Sequence, residues 1–183
     1  MKFPLAVFMA LLAFNSYAAE PVAFRPVPAE SSIAFEVMQG TAKIAGAFTH
    51  FTAQIAFHPE VLDKSSAMVE VNTGAVTISN GEAGSALSKP EWLDITQFPK
   101  ANFTANGFKL LGGNRYEATG TLTLKGVAVP VTLDFTLLEF SLTQARIMGE
   151  ATLKRRDFGI GWEDTKAVAD EVKVMIAVKA VAP

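Results

Sequence analysis

No cysteine occurs among the 183 residues, which excludes disulfides, iron–sulfur clusters, thiolate zinc sites and a cysteine nucleophile together. Histidine is nearly as scarce. His50 and His58 are the only two, so no site can be built from three imidazoles. No acidic cluster stands beside either, and each reads as a strand or strand-end residue rather than as half of a metal pair. Charged residues make up 19% of the chain and the net charge is −2, without the basic excess of a nucleic-acid-binding domain. Glycine-rich phosphate loops are missing, because Gly112-Gly113 lacks the spacing of a dinucleotide or P-loop motif. There is no G-x-S-x-G, and no serine is followed three positions later by lysine. Asp157, Glu163 and Asp164 are the one set of loop acids that could pair as general acid and base, and loop acids are ordinarily solvated. These absences predict neither an enzyme nor a cofactor.

What is present is apolar: hydrophobic residues make up 50% of the chain, too many for a disordered one. Met1-Lys2, an apolar run from Leu5 to Phe14, and small residues at Ser16 and Ala18 form a secretory signal pattern. Cleavage after Ala18 and export are the expectation, with 1–18 as signal peptide and 19–183 as one domain. The run is too short to cross a bilayer as a helix, and no later stretch reaches about 18 apolar residues, so the chain does not read as membrane-spanning. No cysteine follows the run to carry a lipid anchor.

Beyond the signal, period-two alternation dominates. Ile33, Phe35 and Val37 share a face, as do Phe51, Ala53, Ile55 and Phe57, then Val131, Leu133, Phe135 and Leu137. Val172, Val174, Ile176, Val178 and Ala180 make the cleanest run, set against Glu171, Lys173 and Lys179. Turn signals at His58-Pro59-Glu60, Leu111 to Asn114 and Lys125-Gly126 separate these strands. Alternation stops only from Gly81 to Asp94, where Glu82, Ala83, Ala86 and Leu87 favour a short helix, placed as a lid or as a plain cover. About eight antiparallel strands, each with one apolar face, predict an all-β protein closed as a barrel or stacked as a sandwich.

Many inward-reading positions are aromatic: Phe35, Phe48, Phe51, Phe57, Phe103, Phe135 and Phe158. An eight-stranded barrel is just wide enough to be filled by side chains or to hold one small ligand. Small inward residues at Ala53, Gly120, Gly149 and Ala151 would leave room beside the rings. A cavity lined this way suits an acyl or isoprenoid chain, at about 0.8 kcal/mol per buried CH₂.

The segment from Tyr116 through Gly120, Leu122-Thr123, Gly126-Val127 and Pro130-Val131 resembles the y-x-x-x-G-x-L-T-x-x-G-V-x-x-P-V signature of the YceI-like family. Arg155-Arg156-Asp157-Phe158-Gly159-Ile160 resembles its R-x-D-F-G-I turn, and Asp170 to Val174 its final strand start. Ser31 to Phe35, Gly46 to Phe48, and Trp92-Leu93-Asp94 with Phe98-Pro99 and Phe103 match in order, so the resemblance runs from about residue 24 to 180. It implies a lipocalin-like antiparallel barrel in the bacterial periplasm that binds a polyisoprenoid, an isoprenoid quinone or another long-chain lipid, without catalysis. The chain departs from the family where Met38-Gln39 and Gly84 to Leu87 replace polar family residues, which leaves the head group open.

On this reading the cavity residues are Phe35, Val37, Phe48, Phe57, Trp92, Phe103, Leu122, Phe135, Phe158 and Trp162. Arg155 is the head-group residue, with its alternative a structural pairing to Asp157 or another strand's acid. Phe158 and Trp162 line the entrance or plug the barrel end. Two other functions stay open: an enzyme working through Arg155 and Asp157, and a solid-cored barrel that docks an envelope protein. Polar outer faces fit either a monomer surface or the seam of a homodimer.

Overall fold

The structure is a computed structural model describing residues 19–161 and 167–183. The expected signal segment, Trp162, Glu163 and Asp164 lie outside the described residues. Eleven strands follow in chain order: β1 (Val22–Pro26), β2 (Ser32–Gln39), β3 (Ala42–Phe48), β4 (Phe51–Phe57), β5 (Ser66–Asn72), β6 (Val76–Ile78), β7 (Lys100–Gly112), β8 (Arg115–Leu124), β9 (Val127–Phe140), β10 (Gln144–Lys154) and β11 (Val168–Val181). One helix, α1 (Gly81–Leu87), falls between β6 and β7. All pairings are antiparallel, and eight strands close into a ring in the order β1-β4-β5-β7-β8-β9-β10-β11, with β11 returning to β1. That last pairing, Arg25 opposite Val181 and Pro26 opposite Ala180, decides for the barrel over the sandwich.

Three further strands continue the sheet beyond the ring. β2 continues β1 along β11, with Ser32 opposite Ala177 and Gln39 opposite Val168. β3 continues backwards from β4, and β6 prolongs β5, so β2, β3 and β6 form a flap beyond the ring. The breaks fall together, at a 3-10 turn (Pro28–Glu30), at Thr49-His50 and at 73–75. Tight turns join the later strands. Between β8 and β9, Lys125 and Gly126 have φ of 51° and 77°, the paired positive values of a type I′ hairpin.

The end of the barrel beside this turn is plugged. Leu93, Phe158 and Ile160 are buried there against Phe48, Leu87, Trp92, Ile95, Leu122 and Leu153. α1 starts where Asn80 Oδ1 accepts from the N–H groups of Glu82 and Ala83, and it sends Leu87 into the plug, so it sits over this closed end. A 3-10 turn (Arg155–Phe158) follows β10 directly, so Arg155 leaves the inward row of Ala151 and Leu153. Arg155 is only 4% exposed. Its Nε donates to Ala169 O at 3.0 Å, Nη1 to Ile160 O at 2.7 Å, and Nη2 to Val168 O at 2.9 Å, and its guanidinium lies 5.9 Å from the Trp92 ring centre. Gly161 makes this approach possible: its φ is 73°, and a Cβ there would stand 2.6 Å from Arg155 Nη1.

Arg156 faces outward and pairs with Asp170 on β11, Nε to Oδ1 at 3.3 Å, while its backbone N–H donates to the same oxygen at 3.1 Å. Burial alone would raise the Asp170 carboxyl. The hydrogen bonds from the Arg156 side chain and backbone, with the charges of Arg156 and Arg155, hold it below the usual range instead.

Arg155→Met should destabilise the barrel by about 3 kcal/mol, because buried carbonyls lose charged donors. Thermal unfolding should register this as a drop of roughly 6–12 °C, and Arg155→Lys should recover little, since one ammonium cannot reach three carbonyls. Asp170 binds its proton less readily folded than unfolded, so its contribution is present above the unfolded pKa and is lost as pH falls through the folded one. Between about pH 5 and pH 2, denaturant titrations of Asp170→Asn should therefore show a shallower loss of stability than the parent protein.

Candidate functional site

Inward side chains follow strand parity closely. Phe51, Ala53, Ile55 and Phe57 of β4, then Val69 and Val71 of β5, face the same interior as Val174, Ile176, Val178 and Ala180 of β11. Two irregularities change the pattern. A bulge between Ala105 and Gly107 shifts β7 by one residue, so Phe108 points in beside Phe103 and Ala105. A second, opposite Arg146 and Ile147, leaves Leu138 half-exposed while Leu137 lines the interior.

The interior holds a cavity of about 210 Å³, and every side chain lining it is apolar. Away from the plug it is closed by packed rings: Phe57 meets Phe108, Tyr116, Phe135 and Phe140, with ring centres 5.7 to 6.1 Å apart. Tyr116 also stacks on Phe135 at 5.4 Å. The space is therefore a chamber between an aromatic layer at one end and the Leu93–Phe158–Ile160 plug at the other. Apolar cavities of this kind stay dry, and one of about 150 Å³ already admits a benzene-sized guest.

Of the residues expected from sequence, Phe57, Phe103, Leu122 and Phe135 line this cavity, as do Ala53 and Ala151. Phe35 and Val37 continue the inward row of Ile33 but lie past the strand breaks, on the flap; Phe35 meets Phe48 at 5.5 Å between ring centres and closes over Gly46. Phe48, Trp92 and Phe158 belong to the plug, with Phe158 only 1% exposed. None of these five lines the cavity. Arg155 does not line it either; its N–H groups bind backbone carbonyls in the plug. Gly149 leaves no extra room, because a Cβ there would sit 2.7 Å from Asp134 O and 2.9 Å from Phe135 Cβ. Gly120 is pressed in the same way against the backbone of Thr104 and Ala105.

Sequence alternation missed Phe24 and Phe108 as wall residues. Phe24 stands in a strand of only 5 residues, too short to show a pattern, and Phe108 is moved inward by the bulge. Among the described residues, no group of three or more His, Asp or Glu side chains could hold a metal ion. His58 Nδ1 accepts from Glu60 N–H at 3.2 Å, and Asp157 is exposed. The arrangement can enclose an apolar guest, and among the described residues no acid or base lines the cavity.

Comparison with known proteins agrees with this geometry. A UPF0312 protein of Pectobacterium carotovorum is 32% identical over 147 residues, covering 78% of this chain and 76% of its own. Protein YceI of Salmonella arizonae is 30% identical over the same shares. Among solved structures, Burkholderia cenocepacia BcnA superposes with a TM-score of 0.80 at 29% identity, over 85% of this chain and 99% of its own. A Saccharophagus degradans domain, described as polyisoprenoid binding and implicated in plant cell wall breakdown, shares the fold with a TM-score of 0.67 at 14% identity, over 89% and 99%. The YceI-like domain model matches residues 24–180, nearly the whole described barrel, and the chain belongs to the YceI-like family.

Proposed function

We propose that this is an exported, non-enzymatic lipid-binding protein. On this reading residues 1–18 direct the chain to the bacterial periplasm, and 19–183 form one barrel that stores or carries a polyisoprenoid, an isoprenoid quinone or a similar long-chain amphiphile. The carrying observation is the apolar lining of the cavity, Val, Ile, Leu, Ala, Phe and Pro throughout. Such a wall gives a chain's methylenes a place out of water and offers no partner to a polar group. The description of the Saccharophagus degradans domain supports the same ligand class. A barrel acting only through its outer surface has no need of this empty space, and interiors ordinarily pack without it. Catalysis through Arg155 and Asp157 finds no support, since one is buried among carbonyls and the other is exposed.

Native mass spectrometry of protein taken from the periplasm should show a stoichiometric adduct, and solvent extraction should release it as a lipid. Ala53→Trp puts an indole into the cavity; the variant should fold and lose the adduct. A bare mass for the parent protein, persisting after incubation with prenols and quinones, would remove the proposal. Binding should also depend on tail length. Two further methylenes in a series of straight-chain alcohols should tighten Kd roughly tenfold by calorimetry, until the chamber is full.

A further inference from the structure

The barrel wall is not continuous where the first strands break. β1 pairs with β4 up to Phe24 opposite Ile55, and β2 pairs with β3 from Ile33 opposite Phe48. No ladder pair joins 25–32 to 49–54 across the gap between these two points. Each side is tied away from the gap instead. Val27 N–H donates to Lys179 O at 2.8 Å and Ser31 Oγ to the same oxygen at 3.1 Å, fastening the first rim to β11. Thr49 N–H donates to Ala75 O at 2.7 Å, and Asn72 N–H to His50 O at 3.0 Å, fastening the second rim to 72–75.

Outside this seam lies a surface hollow of about 240 Å³ lined by Pro28, Thr49, His50, Thr52, Glu70 and Asn72, with Phe51. Phe51 lines the inner cavity as well, and Pro26 lines the cavity two residues before Pro28 lines the hollow. An apolar chamber and a polar hollow thus meet at one side chain on the edge of the gap in the ladder. From this juxtaposition we infer that the seam is the ligand's portal and that the hollow holds its head group, an uncharged, hydroxyl-bearing one. The inference rests on the interior holding an isoprenoid tail.

The chemistry of the hollow selects the head group. Thr49 Oγ1 donates to Ala75 O at 3.1 Å and lies 3.0 Å from His50 Nδ1, an arrangement that suits the Nδ1–H tautomer. In the neutral imidazole this leaves Nε2 as an acceptor, the complement of a hydroxyl donor. Asn72 spends Oδ1 on Gly74 N–H at 3.0 Å, and its amide N–H groups are what it offers a ligand oxygen. Among the described residues no lysine or arginine lines the hollow, whereas the Glu70 carboxylate does, paired with Lys100 at 2.8 Å. A phosphate there would face a carboxylate without a cation among the lining residues.

Geranylgeraniol and geranylgeranyl diphosphate share one tail and separate these terms. Each is loaded onto the protein, bound stoichiometry is read by native mass spectrometry, and release is timed by transfer to phosphatidylcholine vesicles. The prenol should bind at least about tenfold more tightly than the diphosphate. His50→Ala should keep full stoichiometry but release the prenol about three- to tenfold faster, the loss of one hydrogen bond. Thr52→Trp, at an exposed position, should slow loading by about tenfold or more without unfolding the barrel. Parent-like release by His50→Ala together with parent-like loading by Thr52→Trp overturns the portal, and equal affinity for the diphosphate overturns the head-group class. Ala53→Trp separates the two readings. If it abolishes binding while the seam variants behave as the parent, only the portal fails; if it still binds the prenol, the interior reading fails first.

Discussion

A β-sheet with one wholly apolar face cannot leave that face in water, and this constraint organises the molecule. Closure of β11 onto β1 removes both the exposed face and the free edges of the ring. The contact is short, two residues on each strand, because the remainder of β11 is taken by β2. One strand thereby serves two neighbours on the same side, and the barrel must open where the first neighbour gives way to the second. The flap, the strand breaks and the seam all follow from that division.

The ends of the barrel meet the same demand with different materials. At one end, aromatic rings fill the cross-section in edge-on contacts around Phe57, which suits bulky side chains converging from several strands. At the other, the carbonyls of Ile160, Val168 and Ala169 converge on Arg155. A planar guanidinium with fixed, divergent donors answers three such carbonyls at once, and Trp92 covers it. Arg155, expected from sequence either to meet a head group or to pair with an acid, binds these carbonyls and is not among the residues that line the chamber. With both ends packed, the remaining interior is small and lined by apolar side chains.

Much of this was legible in the chain. Alternation placed Phe57, Phe103, Leu122 and Phe135 inward because neighbouring side chains in a strand point to opposite faces, whatever the strand pairs with. Turn chemistry at Lys125-Gly126 and the helix after Asn80 are equally local, set by φ preferences and by one capping side chain. The lack of disulfides and thiolate chemistry was also legible, since no fold can supply a cysteine.

What alternation could not convey is where along a strand the interior ends. Phe35 and Val37 obey the same parity as Ile33 and still miss the cavity, because a break twelve or more residues away in sequence, at Thr49-His50, bends their partner strand out of the ring. Phe108 enters the wall through a bulge whose cause is its pairing with β8. Barrel against sandwich turned on two residue pairs between the first and last strands, and the fate of Arg155 on carbonyls brought in from beyond the next turn. The chain by itself determined which face of each strand is apolar and that no thiol chemistry is available. The tertiary structure decided which of those faces share one chamber, because ring closure and strand breaks depend on residues far apart in sequence.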